Sequence, residues 1–330
     1  CEPLNQSFVD KIYNLGGNVI ELPKISVCSL QENTKIFREV LHRGEKYKIV
    51  HCHMANAAFL YLKVAKEENV PVRILHSHAT KNGDNLLKII RNKPFQFMSI
   101  YFSNYLFACS EMAGKQIYKT KKFYVINNAI DLDKFKFSDD LRNEIRGENK
   151  IEKNELIIST VGRLTTQKNP YFILEIISIL SKQNIKFQFW WFGNGDLDNK
   201  IKNKANEMEL NDYIKFFGSI DDVYKYYNAM DIFILPSIYE GLPIVGIEAQ
   251  ANGLRCIFSD NITDETKLYE KTLFLPIESA EEWCNTIIRC INDCNHNIDD
   301  YTLLHEKYDI SKLSDSLYKK YVELLKEKDN

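Results

Sequence analysis

The feature that most constrains the fold is a regular alternation of short apolar runs with amphipathic, helix-period stretches along the 330 residues. Continuous apolar strands separated by helices are typical of parallel sheets that are covered on both faces. We therefore predict an α/β protein with two Rossmann-like domains that face each other across a cleft. The apolar runs lie at 18–23, 48–53, 72–78, 105–110 and 123–128, and then at 155–162, 186–193, 213–218, 231–237, 254–259 and 272–276.

A charge-rich segment, 131–155, separates the two series of apolar runs and indicates a linker. The predicted N-terminal domain is therefore 1–145, and the predicted C-terminal domain is 146–310. The tail, 311–330, carries apolar residues on one side of a helical pattern. We expect it to form a C-terminal helix that packs back on the N-terminal domain.

Composition narrows the classes of function. A formal net charge of −2 gives no overall attraction to nucleic acid, so no nucleic-acid partner is expected. No segment approaches the ~20 apolar residues of a membrane-spanning helix. Eight cysteines lack Cys-x-x-Cys spacing, and several lie in apolar runs as reduced core cysteines do, which favours a cytoplasmic location.

Ligands of open parallel sheets bind at the carboxyl ends of the strands, so the residues that follow the predicted strands deserve the closest inspection. After the run at 231–237 come two acids, Glu240 and Glu248, with no charged residue between them. Pro243 suits the first turn of a helix, and Asn252-Gly253 suits its end.

The N-terminus of such a helix favours a phosphate, and carboxylates accept paired hydrogen bonds from vicinal hydroxyl groups. The pattern therefore predicts a phosphate site flanked by Glu240 and Glu248, which would bind the two sugars of a nucleotide sugar. The alternative is a solvated loop glutamate and an unrelated glutamate on a helix surface.

Two cations, Arg163 and Lys168, follow the strand at 155–162. Arginine and lysine together commonly hold a diphosphate, and a departing diphosphate is where positive charge helps catalysis. Two cations in an ordinary surface loop are the alternative interpretation.

Glycines end the next two predicted strands, at Gly193, Gly195 and Gly218. A Gly-x-Gly without a third glycine is a poor dinucleotide motif, although it permits close backbone approach to a base or ribose. We predict that these glycines form the opposite wall of a nucleotide pocket.

Two His-x-His pairs, His51 with His53 and His76 with His78, end strands of the first half. Zinc binding is one interpretation, because alternate strand residues share a face. No Cys or carboxylate stands at metal-ligand spacing, so we favour one cleft histidine, His78 or His76, that contacts a sugar hydroxyl or a phosphate.

Basic and aromatic residues alternate at 85–102 and 111–123. Such stretches can rest on an anionic membrane. The alternative is a solvated helix face over a core.

These motifs resemble the family-4 retaining glycosyltransferases of the GT-B fold, especially bacterial members that build capsular polysaccharides and exopolysaccharides. The similarity extends over essentially the whole chain. The motifs that carry it are VGRLTTQKN, FGNGD, the Glu-x7-Glu run, HSHAT, FACSE, VINNAIDLDKF and AEEW.

The resemblance implies that Arg163 and Lys168 hold the diphosphate, that Glu248 binds the ribose hydroxyls, and that Glu240 binds the donor sugar. It also implies that His78 reaches the donor sugar from the N-terminal domain. No metal or other cofactor is implied, and the anomeric configuration is retained by front-face attack. The resemblance further implies that the backbone of Gly241, Leu242, Pro243 and Ile244 contacts the phosphate and the sugar.

The expected reaction moves a sugar, from a UDP-linked donor, to a lipid-linked oligosaccharide at the inner membrane face. The family's first strand and glycine-rich loop are not found, so we expect an N-terminally truncated acceptor domain. A non-catalytic nucleotide-sugar-binding subunit of a polysaccharide assembly complex is the alternative. A related GT-B epimerase lacks motif support, and an oxidoreductase lacks the Gly-x-Gly-x-x-Gly motif.

Overall fold

Two parallel sheets organise this computed structural model, which describes residues 6–43, 46–78, 86–298 and 300–329. Each sheet belongs to its own compact unit. Unit 1 comprises Cys1–Ile126 and Leu317–Asn330, and unit 2 comprises Asn127–Ser316. The predicted α/β class with parallel sheets is confirmed.

Unit 1 contains a four-stranded parallel sheet in the order β1-β2-β3-β4, with neighbouring strands in sequence also adjacent in space. Apolar strand residues such as Val72, Ile74 and Phe107 are fully buried, as expected of strands covered on both faces. The strands are β1 (Ile49–Cys52), β2 (Val72–Ser77), β3 (Tyr105–Ala108) and β4 (Tyr124–Val125). The helices are α1 (Gln6–Asn14), α2 (Leu30–Leu41), α3 (Ala58–Glu67), α4 (Leu86–Phe102) and α5 (Glu111–Tyr118).

The strand predicted at 18–23 is wrong, because those residues pair with no strand in the part of the chain that the structure describes. Ile20, the central apolar residue of that run, is exposed, and Pro23 has no N–H to donate to a ladder. An apolar run becomes a strand only where both backbone groups and side chains find partners.

Unit 2 contains a six-stranded parallel sheet in the order β10-β9-β8-β5-β6-β7. All six strands predicted in the second half are confirmed. They are β5 (Leu156–Val161), β6 (Phe187–Phe192), β7 (Ile214–Gly218), β8 (Ile232–Leu235), β9 (Arg255–Ser259) and β10 (Leu273–Leu275). The helices are α6 (Leu132–Phe135), α7 (Asp139–Glu148), α8 (Pro170–Leu180), α9 (Asp198–Glu207), α10 (Val223–Tyr227), α11 (Ile244–Ala251), α12 (Ala280–Cys290) and α13 (Thr302–Lys307).

The charged segment that indicated a linker folds as α6 and α7 and packs on unit 2. Ile145 is buried in a core cluster of that unit. Arg142 Nη2 and Arg146 Nη1 lie 2.5 Å and 3.2 Å from the two carboxylate oxygens of Asp231. The domain boundary predicted near residue 145 therefore falls inside α7. The two compact units of the structure meet between Ile126 and Asn127 in the sequence.

The last helix, α14 (Ile310–Asp329), contributes its residues from Leu317 onward to unit 1. Leu324 is fully buried there in a cluster with Val72, Ile74 and Phe107. The tail thus covers one face of the unit 1 sheet. Among the residues that the structure describes, no helix combines the length and the apolar character needed to cross a bilayer.

Candidate functional site

The strand order of unit 2 defines where a ligand would bind. From β5 the chain moves to β6 and β7 on one side, and it then returns to build β8, β9 and β10 on the other side. In open α/β sheets ligands bind outside the carboxyl ends of the strands at such a switch point. Here that point lies between β5 and β8, and the loops that follow them are 162–169 and 236–243.

These two loops carry the predicted site residues Lys168 and Glu240, and the structure brings the residues together. Lys168 Nζ lies 2.7 Å from Glu240 Oε1, with only 15% and 10% of the two side chains exposed. The Ser237 hydroxyl donates a second hydrogen bond to the same carboxylate oxygen, at 3.0 Å. A largely buried ion pair therefore lies at the switch point.

Backbone hydrogen bonds fasten the two loops to each other. Ile238 N–H donates to the carbonyl of Gln167 at 2.9 Å, and the Gln167 side-chain amide donates to the carbonyl of Tyr239 at 3.0 Å. Lys168 and Glu240 are therefore held on a fixed framework, which pre-organises their charges.

Arg163 begins the loop after β5 and is exposed, with no side-chain ion pair among the described residues. The neighbouring Gly162 carbonyl accepts a hydrogen bond from Trp191 Nε1 at 3.0 Å, which anchors the start of the loop to β6. A Cβ at Gly162 would lie 2.7 Å from Lys168 Cε, so glycine leaves the space that the lysine stem occupies.

The glycines after β6 allow two loops to approach closely. A Cβ at Gly193 would lie 2.4 Å from the Gly162 carbonyl oxygen, and one at Gly195 would lie 2.2 Å from that of Leu164. Gly193 N–H also donates to the carbonyl of Gly218 at 2.7 Å. These contacts explain the glycines by packing along the carboxyl edge of the sheet, and their contact with a nucleotide stays a prediction.

Helix α11 has the ends that the sequence predicted. It begins at Ile244 with Pro243 as its N-cap, so its first amides point toward the loop that carries Glu240. At the other end Gly253 N–H bonds to the Gln250 carbonyl and Leu254 N–H to the Ala249 carbonyl, which is a Schellman motif. Gly253 has φ +82°, a conformation that favours glycine. The remaining predicted backbone contacts, Gly241 and Leu242, lie in the loop before the helix.

Glu248 lies on α11 and accepts a hydrogen bond from the buried Tyr227 hydroxyl at 3.0 Å. Burial raises the pKa of Glu248, while the Tyr227 hydrogen bond and the charge of Lys134 act in the opposite direction. The carboxylate is therefore oriented by one fixed donor and keeps lone pairs for further donors.

In unit 1 the predicted residue His78 follows β2 and is exposed, with Nε2 2.7 Å from His53 Nδ1. His51 and His76 lie beside them, with His51 Nε2 3.1 Å from His76 Nδ1. The two His-x-His pairs thus form one cluster at the carboxyl ends of β1 and β2. The other two residues of the HSHAT motif that follow His78 lie outside the described residues.

Sequence reasoning missed three partners: Ser237 for Glu240, Tyr227 for Glu248 and Tyr321 for His51. Ser237 is three residues before Glu240 at a strand end, and this spacing could have indicated it. No local pattern marks Tyr227 or Tyr321, because each meets its partner through the tertiary fold.

The region that carries this site is similar to known proteins. The family model described as "Glycosyl transferases group 1" matches residues 142–299, which contain Arg163, Lys168, Glu240 and Glu248. The chain is 30% identical over 292 residues to the putative glycosyltransferase EpsF of Bacillus subtilis (strain 168), covering 86% of this chain and 76% of that relative.

Two further relatives have more descriptive names. An Escherichia coli UDP-Gal:alpha-D-GlcNAc-diphosphoundecaprenol alpha-1,3-galactosyltransferase is 29% identical over 274 residues, covering 78% of this chain and 70% of that protein. The capsular polysaccharide biosynthesis glycosyltransferase CapH of Staphylococcus aureus is 28% identical over 265 residues, covering 78% and 72%.

The crystal structure of Anabaena Alr3699/HepE in complex with UDP and glucose matches with a TM-score of 0.80 at 15% identity, covering 96% of this chain and 89% of that chain. The match confirms the predicted GT-B type of α/β fold with two parallel sheets. Together with the similarity to EpsF and the family model, the sequence and fold lead to one assignment. This chain belongs to the glycosyl transferases group 1 family.

Proposed function

We propose that the chain is a retaining, metal-independent glycosyltransferase of family 4. It moves a sugar from a UDP-linked donor to a lipid-linked saccharide during synthesis of a cell-surface polysaccharide. The observation that carries the proposal is the Lys168–Glu240 ion pair at the switch point of the unit 2 sheet. The names of the E. coli and S. aureus relatives support the donor class, the lipid-linked acceptor and the polysaccharide product.

The donor occupies the carboxyl edge of the unit 2 sheet. Its diphosphate competes with Glu240 for Lys168 and also meets the exposed guanidinium of Arg163. The first amides of α11 contribute further donors and the positive end of the helix dipole. Glu240, partly released from Lys168, then accepts hydrogen bonds from the hydroxyls of the donor sugar.

Glu248, which the Tyr227 hydrogen bond holds in place, accepts hydrogen bonds from the ribose hydroxyls. Tyr227 donates its hydroxyl proton to Glu248 Oε2. Both lone pairs of the other carboxylate oxygen, Oε1, therefore remain for a ligand. In this proposal the cationic side chains bind the phosphates and the carboxylates bind the sugars.

In the reaction the bond between the anomeric carbon and the β-phosphate oxygen breaks, and a bond forms from that carbon to an acceptor hydroxyl oxygen. The acceptor's proton passes to the departing phosphate oxygen on the same face, which retains the configuration. Negative charge grows on the diphosphate as the bond breaks, so Arg163 and Lys168 stabilise the transition state more than the ground state. Their charge takes the place of a metal ion.

Unit 1 binds the acceptor at the cytoplasmic face of the inner membrane, where His78 contacts a sugar hydroxyl. Four large apolar or aromatic side chains in the described part of α4 are exposed, those of Ile90, Phe95, Phe97 and Tyr101. Arg91 and Lys93 on the same helix are exposed as well. This mixture supports peripheral contact with an anionic lipid surface, where a lipid-linked acceptor is found.

The test measures release of nucleoside diphosphate from a panel of UDP-sugars, with membrane lipid extract as the source of acceptor. Wild type is compared with Glu240→Gln and with the matched control Glu278→Gln, which changes an exposed glutamate of the same unit. We expect acceptor-dependent release by wild type and by the control, and at least a hundredfold lower rate for Glu240→Gln. A parallel assay with EDTA is expected to leave the rate unchanged.

Equal turnover by wild type and Glu240→Gln would remove Glu240 from the site. Calorimetric binding of UDP without transfer from any donor would replace the proposed enzyme with a nucleotide-sugar-binding subunit. Loss of activity in EDTA would contradict the metal-independent mechanism.

A further inference from the structure

Four histidines lie at the carboxyl ends of β1 and β2 in unit 1, and the transfer reaction proposed above uses only one of them. Their rings form a stacked array: the ring centroids of His51 and His53 are 4.3 Å apart, as are those of His76 and His78. The array forms because His51 and His76 lie near the carboxyl ends of adjacent parallel strands, and His53 and His78 each follow two positions later, just beyond the strand.

From this arrangement we propose that His51, His53 and His76 form a binding site for a first-row transition-metal cation, best suited to Zn²⁺. One ring nitrogen from each of the three histidines lies within 4.8 Å of the others. The site belongs to unit 1 and takes part in no step of the proposed sugar transfer.

The distances fit a tetrahedral ion. Zinc–nitrogen bonds of 2.0–2.1 Å place neighbouring ligand nitrogens about 3.3 Å apart. His51 Nε2 and His76 Nδ1 are already 3.1 Å apart. The third ligand, His53, is exposed and can rotate to shorten its distances.

A fourth imidazole stands beside the three. His78 Nε2 lies 2.7 Å from His53 Nδ1, so a small rotation of either ring can bring it into the coordination sphere. Structural zinc sites have four ligands, and a site with three protein ligands keeps a water in the fourth position. Because His78 is assigned above to a sugar, the proposed site has the second arrangement, with three histidine ligands and a water.

Second-shell contacts orient the ligands as metal sites require. His51 Nδ1 lies 2.5 Å from the hydroxyl oxygen of Tyr321, on α14. In the tautomer that donates this N–H to Tyr321, the lone pair of His51 Nε2 points toward His76. Metal-bound histidines commonly donate their other ring N–H in this way.

The electrostatics of the cluster keep the ligands neutral. Burial, followed by the charges of neighbouring histidines, lowers the pKa of His51 to about 3 and that of His76 to about 2. Neutral imidazoles without carboxylate ligands select zinc, copper or nickel over magnesium and calcium.

The experiment titrates the full chain, purified without a polyhistidine tag and treated with chelator, with Co²⁺ as a spectroscopic probe for Zn²⁺. The test variant is His53→Gln, because the exposed ring can be replaced with little effect on folding. The control is His42→Gln, which changes an exposed histidine of the same unit that bonds to Glu68. Circular dichroism checks that all three proteins are folded.

We expect wild type and His42→Gln to bind one Co²⁺ per chain with the visible absorption bands of a tetrahedral complex, displaced by Zn²⁺. We expect His53→Gln to bind at least tenfold more weakly, and Tyr321→Phe to bind about tenfold more weakly through loss of the second-shell contact. Absence of stoichiometric binding by wild type would overturn the proposal. So would equal affinity of wild type and His53→Gln.

Discussion

The carboxyl edges of the two sheets differ in chemistry although the sheets share one architecture. In unit 1 the edge carries four clustered histidines, with His51 stacked on His76 and His53 stacked on His78. In unit 2 the same edge carries an ion pair, Lys168 with Glu240, and a second carboxylate, Glu248. Parallel strands gather the residues that follow them in both cases, so the fold decides that a site forms and the side chains decide what it binds.

Charge is the feature that separates the two units most clearly, and unit 2 uses it at both edges of its sheet. At the carboxyl edge the Lys168–Glu240 pair is largely buried and Arg163 is exposed. At the opposite edge Asp231 is buried between Arg142 and Arg146 and also accepts from Ile157 N–H at 2.7 Å. We propose that the first set binds a ligand and that the second set stabilises the unit. The predictions below test that division, starting with the largest effect.

Asp231→Ala is expected to lower the free energy of unfolding of unit 2 by about 3–5 kcal/mol, because it leaves the buried Arg146 and the partly buried Arg142 without their carboxylate. Urea unfolding is followed by tryptophan fluorescence, since all three tryptophans, Trp190, Trp191 and Trp283, lie in unit 2. The control Asp212→Ala changes an exposed aspartate and is expected to have almost no effect. A loss below about 1 kcal/mol would show that the charges at this edge do not stabilise the unit.

Lys168→Ala is expected to reduce the rate of sugar transfer by about 10²–10³-fold, which corresponds to about 2.7–4 kcal/mol of transition-state stabilisation. Its effect on stability should be smaller than that of Asp231→Ala, because Glu240 keeps the hydrogen bond from the Ser237 hydroxyl. The rate is measured as nucleoside diphosphate release, and Lys182→Ala, which changes an exposed lysine of unit 2, is the control. Comparable rates for the two variants would remove the distinction between the edges.

The pH dependence of stability gives a third comparison, through the one strongly perturbed histidine of unit 2 among the described residues. Burial lowers the pKa of His296 to about 4. Below about pH 6.5 this histidine is protonated in the unfolded chain but stays neutral in the folded unit. The free energy of unfolding is therefore highest above pH 6.5 and decreases as the pH falls toward 4. The expected loss is up to about 1.4 kcal/mol per pH unit.

The measurement compares urea unfolding at pH 7 and at pH 5, again by tryptophan fluorescence, for wild type and His296→Gln. The variant should show a weaker dependence on pH, whereas His305→Gln, which changes an exposed histidine, should match wild type. An identical change in the free energy of unfolding between pH 7 and pH 5 for all three proteins would mean that His296 is not buried in its neutral form.

Tyr227→Phe is expected to have the smallest effect, a loss of about 0.5–1.5 kcal/mol in the free energy of unfolding from one hydrogen bond. Because Glu248 then loses its fixed donor, UDP affinity should also fall by a few-fold. Tyr213→Phe, in which the ring stacks on Phe187, is the matched control. An unchanged affinity would indicate that Glu248 needs no orientation by Tyr227.

Much of unit 2 was predictable because its strands are continuous apolar runs that bury completely, such as Ile232–Leu235. Residues 18–23 were misjudged because an apolar run does not reveal whether a neighbouring strand exists to pair with it. The segment 131–155 was interpreted as a linker because a sequence shows charges without their partners, and here Arg142 and Arg146 find Asp231 far along the chain.

The site shows the same limit. The sequence identified Lys168, Glu240 and both His-x-His pairs, because each follows a strand. It gave no sign that Lys168 pairs with Glu240, and it left open whether the two His-x-His pairs meet in one cluster. Those contacts depend on strand order, which periodicity does not determine.

The most direct test of the central claim is calorimetric titration of the full chain with UDP and, separately, with uridine, which lacks the diphosphate. Wild type is compared with the double variant Arg163→Ala/Lys168→Ala and with Lys182→Ala. We predict that UDP binds the double variant at least tenfold more weakly than wild type, that uridine binds both equally, and that Lys182→Ala behaves as wild type. Equal affinity of wild type and the double variant for UDP would contradict the claim that the carboxyl edge of the unit 2 sheet binds a diphosphate.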